Sequence, residues 1–456
     1  MENFTKIKVF TLNNFDRLPQ IKNLPQEDVL AMKAVAQVFP FKVNNYVVEE
    51  LIDWNNIPED PIFQLTFPQK EMLNKSDFDN IYSALKNGSS KDELTKKANR
   101  IRMKLNPHPA GQLSANIARF SNGEPVPGIQ HKYRETVLVF PSAGQTCHSY
   151  CTFCFRWAQF IGVNDLKFAT DEANRFLEYL RLHKEVTDVL ITGGDPMIMS
   201  AKKLSVYITP LLAPEFEHIK NIRIGTKTLT YWPFRYLTDT DSDEIIKLFE
   251  KIVRAGKHLS IMAHVNHFRE ISTEVSASAV RRIRSAGAEI RTQSPVIKHI
   301  NDNPKVWEKL WKKEVAMGMI PYYFFVERDT GAKDYFSIPL VRALQIFREA
   351  YSKTSGLIRT VRGPSMSALP GKIEISGITK IYGEKVFVLN FIQGRNPDWI
   401  KKPFFAQYDP EAIWLDDLKP AFGETKFFYE NELEEILQGY QVEKSEKKSL
   451  ENILAG

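Results

Sequence analysis

Hydrophobic and polar positions change rhythm once along this chain, near residue 131. Before it, apolar and charged residues mix at a mainly helical period between long loops, most clearly over residues 74–105. Breakers then gather in Asn106-Pro-His-Pro-Ala-Gly and Gly123-Glu-Pro-Val-Pro-Gly, which predicts a turn-rich linker. After it, short β-branched runs recur at 136–141, 186–192, 222–226, 258–265, 289–293 and 320–325, predicting six strands. Amphipathic segments at 169–182, 242–255, 273–285 and 304–316 predict helices between them. Strand and helix alternating every 30 to 40 residues or so is βα repetition, which closes or partly closes into a barrel or opens into a doubly wound sheet. Past about 355 the rhythm stops. Gly371-Lys-Ile-Glu-Ile and residues 384–390 predict a small antiparallel sheet, 431–437 an acidic helix, and the polar stretch from Val442 a frayed tail. The expected division is a mainly helical region over 1–130, a βα unit over 131–350 and a small α+β extension over 351–456.

In βα folds, chemistry belongs at the C-terminal ends of the strands. Here those ends are polar: Gly193-Gly-Asp-Pro196, Thr226-Lys227, His264 with Asn266 and His267, and Gln293-Ser294. Any one of them is ordinary turn chemistry. Several on one face predict a site.

Composition changes the picture little. The chain has 456 residues, 43% hydrophobic and 25% charged, as a globular protein does. No run approaches the roughly 18 apolar residues of a membrane span. The first residues carry no apolar secretion signal, so the reducing cytoplasm is the expected compartment. The net charge of +6 is spread out, which makes nucleic acid an unexpected partner. Its 30 Phe, 16 Tyr and 7 Trp are expected mostly in core or subunit contacts.

Cysteine changes it a great deal. All three thiols fall in Cys147-His-Ser-Tyr-Cys151-Thr-Phe-Cys154, directly after the first predicted βα strand. Three soft donors this close suit a metal. Ligand count alone allows zinc, with His148 as a fourth ligand, but structural zinc sites usually pair one short Cys motif with a distant second pair. A compact three-thiolate loop suits an iron–sulfur cube with one iron left open. Three buried apolar cysteines are the remaining reading.

C-x3-C-x2-C after the first strand, with a glycine-rich turn after the second, resembles the radical S-adenosylmethionine enzymes. The chain further resembles their lysine 2,3-aminomutase family. The resemblance runs from Asp60-Pro-Ile-Phe-Gln-Leu through His131-Lys-Tyr, the cysteine loop, Thr192-Gly-Gly-Asp-Pro196, Arg223-Ile-Gly-Thr226, His264-Val-Asn-His267 and Pro321-Tyr-Tyr323 to Leu369-Pro-Gly-Lys-Ile373. It implies a partial (β/α)6 TIM-like barrel. It implies a [4Fe-4S] cluster on Cys147, Cys151 and Cys154 whose open iron chelates S-adenosylmethionine. Gly193, Gly194 and Asp195 would line the methionine moiety, with Thr226 and His264 also at the cofactor. Lys372 would form the Schiff base with pyridoxal phosphate, and Arg156 would clamp the substrate α-carboxylate. Tyr322, Tyr323, His264 and His267 are candidates to line the cavity. The implied reaction moves nitrogen from Cα to Cβ of an α-amino acid by a radical route, with electrons from a flavodoxin- or ferredoxin-type protein. A homo-oligomer, dimer or tetramer, is implied too.

The chain departs from the family in three places. The glycine-rich run before the lysine is here Ser367-Ala-Leu-Pro-Gly. The two acids that hold the distal ammonium of lysine match Arg328 and Ser365, although Asp329 lies next door. An ammonium facing Arg328 in a closed site would be repelled and unpaired, so an acidic or neutral side chain is expected on the substrate. The cysteines that bind zinc near the family's C-terminus are absent. Three alternatives stay open: a radical enzyme of this type without pyridoxal phosphate, a protein or RNA modification enzyme, and a structural zinc protein.

Overall fold

A computed structural model of the chain describes residues 6–163 and 166–439; the tail expected to fray from Val442 lies outside them. Two short strands, β1 (Val9–Thr11) and β2 (Lys42–Asn44), pair antiparallel near the N-terminus. The remaining twelve form one sheet: β3 (Ile117–Arg119), β4 (Pro125–Tyr133), β5 (Thr136–Val139), β6 (Asp188–Ile191), β7 (Asn221–Thr226), β8 (His258–His264), β9 (Glu289–Val296), β10 (Ile320–Val326), β11 (Arg362–Ser367), β12 (Gly371–Ile381), β13 (Glu384–Gly394) and β14 (Pro403–Gln407). Each strand lies beside its sequence predecessor. Strands β5 to β11 are parallel, and both flanks are antiparallel. Among the described residues no pairing joins the two ends of the sheet, so it is not a closed barrel.

The six expected strands are β5 to β10. Their period of two sorts two faces. Val137, Val139, Val189, Ile191, Ile222 and Ile224 are buried toward the helices in the largest apolar cluster. Leu138, Leu190 and Arg223, adjacent across β5, β6 and β7, face a cavity on the other side. The expected helices form over Ala173–Leu182, Ser242–Arg254, Glu274–Ser285 and Pro304–Ala316. In Ser242–Arg254 the buried Ile245, Leu248, Phe249 and Ile252 recur at helical spacing.

Three expectations are corrected. The helical stretch 74–105 is two helices, Lys75–Lys86 and Lys91–Lys104. Gly88 at φ +71° breaks it, and Ser90 starts the second with a reciprocal cap to Glu93 (3.3 and 3.1 Å). The turn-rich linker contains strand β4; Pro125 and Pro127 are tolerated because pairing with β5 begins only at Ile129. Gly128 is required there, since at φ +67° a side chain would strike the backbone of Thr170. The C-terminal strands β12–β14 extend the main sheet through β11 instead of standing apart.

Candidate active site

The strand ends and the cysteine loop enclose a cavity of about 350 Å³. Its floor is the glycine turn after β6. Gly194 packs on the chain just before Cys147; a Cβ there would meet the backbone N and O of Thr146 at 2.5 and 2.6 Å. The amide of Asp195 donates to the carbonyls of Gly144 (3.0 Å) and Thr146 (2.8 Å), stitching turn to loop. Both glycines line the cavity.

Asp195 does not line it. Its buried carboxylate accepts from Met197 N (3.0 Å), Thr226 Oγ1 (2.7 Å), Lys227 N (2.9 Å) and Thr228 Oγ1 (2.9 Å). Every strong acceptor direction is taken, so this side chain ties β6 to β7 and has nothing left for a ligand's ammonium. Thr226 lines the cavity with its hydroxyl spent on Asp195.

The N-terminal region grips the cysteine loop from outside. Tyr150 N donates to Lys42 O (2.8 Å), Thr152 N to Leu65 O (3.0 Å), and Asn44 Nδ2 to His148 O (3.3 Å). All three thiols are half-buried on the cavity wall and none is in a disulfide. Burial pushes them up, Cys147 well above the ordinary thiol range, Cys151 to about 11 and Cys154 to about 12, and the other thiols' charges add to the shift of Cys147 and Cys154. Thiols so placed become thiolates only beside strong positive charge, which a metal supplies. Among the described residues no three His, Cys, Asp or Glu side chains converge on a single-ion site. His148 is turned to Thr228 Oγ1 (3.2 Å), and burial holds it neutral at about 3.

Two guanidiniums flank Phe155: Arg156 at 4.9 Å and Arg328 at 4.6 Å from its ring centroid. In both, Nη1 is buried without a hydrogen-bond partner. Burial and the neighbouring Arg328 push Arg156 down to about 9. Orphaned donors of a buried cation are costly unless an anion fills the gap, so both point to carboxylate or phosphate ligands.

Lys372 enters from β12. Its Nζ donates to Gln393 Oε1 (3.0 Å) and lies 4.1 Å from the Tyr323 ring centroid. Burial, then Arg223, Arg362 and Arg328, hold it well below the ordinary lysine range. Lys132 on β4 lines the same cavity, donates to Ala368 O, and is held down by burial and by Arg395, Arg328 and Lys372. His264 lines it too, bonded to Asn266 Oδ1 (3.1 Å) and held neutral at about 3 by burial. Tyr322 and Tyr323 are on the wall.

Two candidates stand elsewhere. His267 caps the turn Phe268–Ile271, accepting from Arg269 N (3.3 Å). Ser365 pairs with Phe325 in the register of β10 and β11, fully buried, and Ser367 lines the cavity in its place. Sequence reasoning gave no role to Lys132, Arg223 and Glu327, all lining residues. A charge inside an apolar strand, as in Ile222-Arg-Ile, was the available signal.

No family model matches the chain. A protein of Aquifex aeolicus, provisionally named an L-lysine 2,3-aminomutase, is 32% identical over 408 residues, covering 89% of this chain and 95% of that one. The L-lysine 2,3-aminomutase of Haemophilus influenzae is 24% identical over 77% of this chain and 88% of its own. That of Clostridium subterminale is 29% identical over 51% of this chain and 52% of its own, about half its length. Among solved structures, a radical SAM methyltransferase from Sphaerobacter thermophilus matches 51% of this chain and 68% of its own at TM-score 0.36 and 15% identity, too slight a likeness to argue from. Conserved at this level over nearly its whole length, the chain belongs to the L-lysine 2,3-aminomutase family of radical S-adenosylmethionine enzymes.

Proposed function

We propose that this chain is an amino acid 2,3-aminomutase that uses a [4Fe-4S] cluster, S-adenosylmethionine and pyridoxal phosphate to turn an L-α-amino acid into a β-amino acid. One observation carries the reading: three thiols, an orphaned arginine and a charge-suppressed lysine share one cavity at the ends of parallel strands, in a member of this family. The residues fit the groups. Cys147, Cys151 and Cys154 would hold the cluster; ligands of a cube sit on different irons and need not converge on one point. Gly193 and Gly194 offer backbone beside them, and the sheet is read as a partial barrel around them. When bound, the cluster with S-adenosylmethionine supplies a radical able to take a hydrogen atom, and pyridoxal phosphate supplies an electron sink for the amine.

The chain's own residues do the placing. Arg156 binds the α-carboxylate through its free Nη1. Lys372 offers an amine held toward its uncharged form, with Arg223 as the cation for a phosphate in place of a glycine-rich run. Phe153 and Phe155 exclude water. Arg328 turns away a side-chain ammonium, whose unpaired burial beside a cation costs several kcal/mol, and accepts a carboxylate or neutral polar group. A flavodoxin- or ferredoxin-type protein delivers the electron.

Anaerobic assay of the reconstituted protein against a panel of α-amino acids tests this. Expected are β-amino products from acidic or neutral substrates and a visible absorbance band that Lys372→Ala removes. Turnover of lysine alone would overturn the substrate reading. A second reading, the same radical chemistry without pyridoxal phosphate, is favoured by Ser367-Ala-Leu-Pro-Gly; the absence of that band in active protein would establish it.

A further inference from the structure

Cys151 has a neighbour that the other two thiols lack. The hydroxyl of Tyr231 stands 3.5 Å from its Sγ. Tyr231 is 1% exposed, so that hydroxyl is shielded from bulk solvent. Its position is fixed from three sides. It closes the single helical turn Thr228–Tyr231 that follows β7. Its carbonyl accepts from Asn44 Nδ2 (2.8 Å), and the same amide nitrogen donates to His148 O in the cysteine loop (3.3 Å). Asn44 is itself fully buried, its backbone amide on Ser149 Oγ (3.1 Å) and its Oδ1 receiving Val47 N (3.0 Å). One asparagine from the N-terminal region thus fastens the tyrosine and the cysteine loop to a common point. On the face of the phenol ring, Lys227 Nζ lies 4.5 Å from the centroid, held by Glu270 Oε1 (2.5 Å) and Asn266 Oδ1 (3.0 Å).

We infer that Tyr231 is a positioning residue that acts through Cys151, donating a hydrogen bond to the ligating sulfur and raising the reduction potential of the cluster. The inference rests on the reading above that the three thiols hold a [4Fe-4S] cluster. A metal-bound thiolate carries no proton, so the proton of this contact belongs to the phenol and the O–H donates. Donation draws electron density off the sulfur. It stabilises the reduced, more negative cluster over the oxidised one, and so eases the entry of the electron. Cys154 instead receives the backbone N–H of Arg156, so the phenol's donation is directed at Cys151.

The test is an EPR-monitored redox titration of the anaerobically reconstituted full chain, with iron and sulfide counted first. Tyr231→Phe keeps the ring and removes the donor. Its expected result is a midpoint shifted to more negative potential at unchanged iron content. 3-Fluorotyrosine at position 231 keeps the bulk and strengthens the donor, with the opposite shift expected; it decides the matter should the Phe variant fail to load. Two shifts of opposite sign follow from hydrogen-bond strength and not from altered packing. A midpoint unchanged from wild type in the loaded variants would overturn the inference alone. Wild-type protein that takes up no iron would overturn the cluster reading and this inference with it.

Discussion

Burial, and then the charges of Arg223, Arg362 and Arg328, stabilise the Lys372 amine in its uncharged form. The sign follows. The folded-state value of Lys372 is depressed, so between that value and about pH 10.4 the unfolded chain holds a proton that the folded chain has given up. Stability from this group therefore rises with pH through the window between the depressed value and about 10.4. Lys372→Met removes that penalty. The variant apoprotein should melt higher than wild type near neutral pH, with the gap closing as pH approaches 10 in thermal scans; a gap independent of pH would refute the depressed value. The three thiols, Gly193 and Gly194 were legible in the sequence because each sits in a short local pattern, whereas Lys372 was reached only through the family resemblance. Lys132 and Arg223, both inside strands, were not legible. A charge at alternate positions of a strand reads as a solvated face, and only the arrangement of the whole sheet turns that face onto a cavity.

At the scale of elements, the parallel strands were legible because Val and Ile fill their helix-facing positions, giving short β-branched runs that stand out from their helices. Strand β4 was hidden by its prolines, and the helix Leu340–Ser352 by its position past the last expected βα unit. The glycine turn after β6 was legible as a motif, while its purpose was not: backbone packs on backbone there, which no pattern of side chains reports. Gly194→Ala forces a methyl into the Thr146 backbone, which cannot swing aside as a side chain would. Overpacking of this kind costs about 1–3 kcal/mol. The variant should fold with a lowered melting temperature and retain less iron after reconstitution; full iron content would show that the loop tolerates displacement. Asp195 teaches a related lesson, since a carboxylate placed by motif at a ligand proves to be wholly spent on holding two strand ends together.

For the molecule as a whole, the N-terminal region is part of the site's frame. Asp60, fully shielded, caps the helix Pro61–Thr66 through Ile62 N (3.0 Å) and Phe63 N (2.8 Å) and pairs with Arg269 after β8. Asp60→Ala removes the cap and strands a half-buried guanidinium; a loss of about 3 kcal/mol or more is expected in urea denaturation of the apoprotein. A loss below about 1 kcal/mol would mean that the region is merely appended.

The strict succession of neighbours from β3 to β14 has a consequence for biosynthesis. Each new strand finds its template already laid by the one made just before it, so the sheet can grow on the ribosome by zipping, with little long-range search. The sulfur-bearing bend is therefore finished early, while the strand that delivers the amine is among the last to arrive. For much of its synthesis the nascent protein presents its thiols toward an unwalled side.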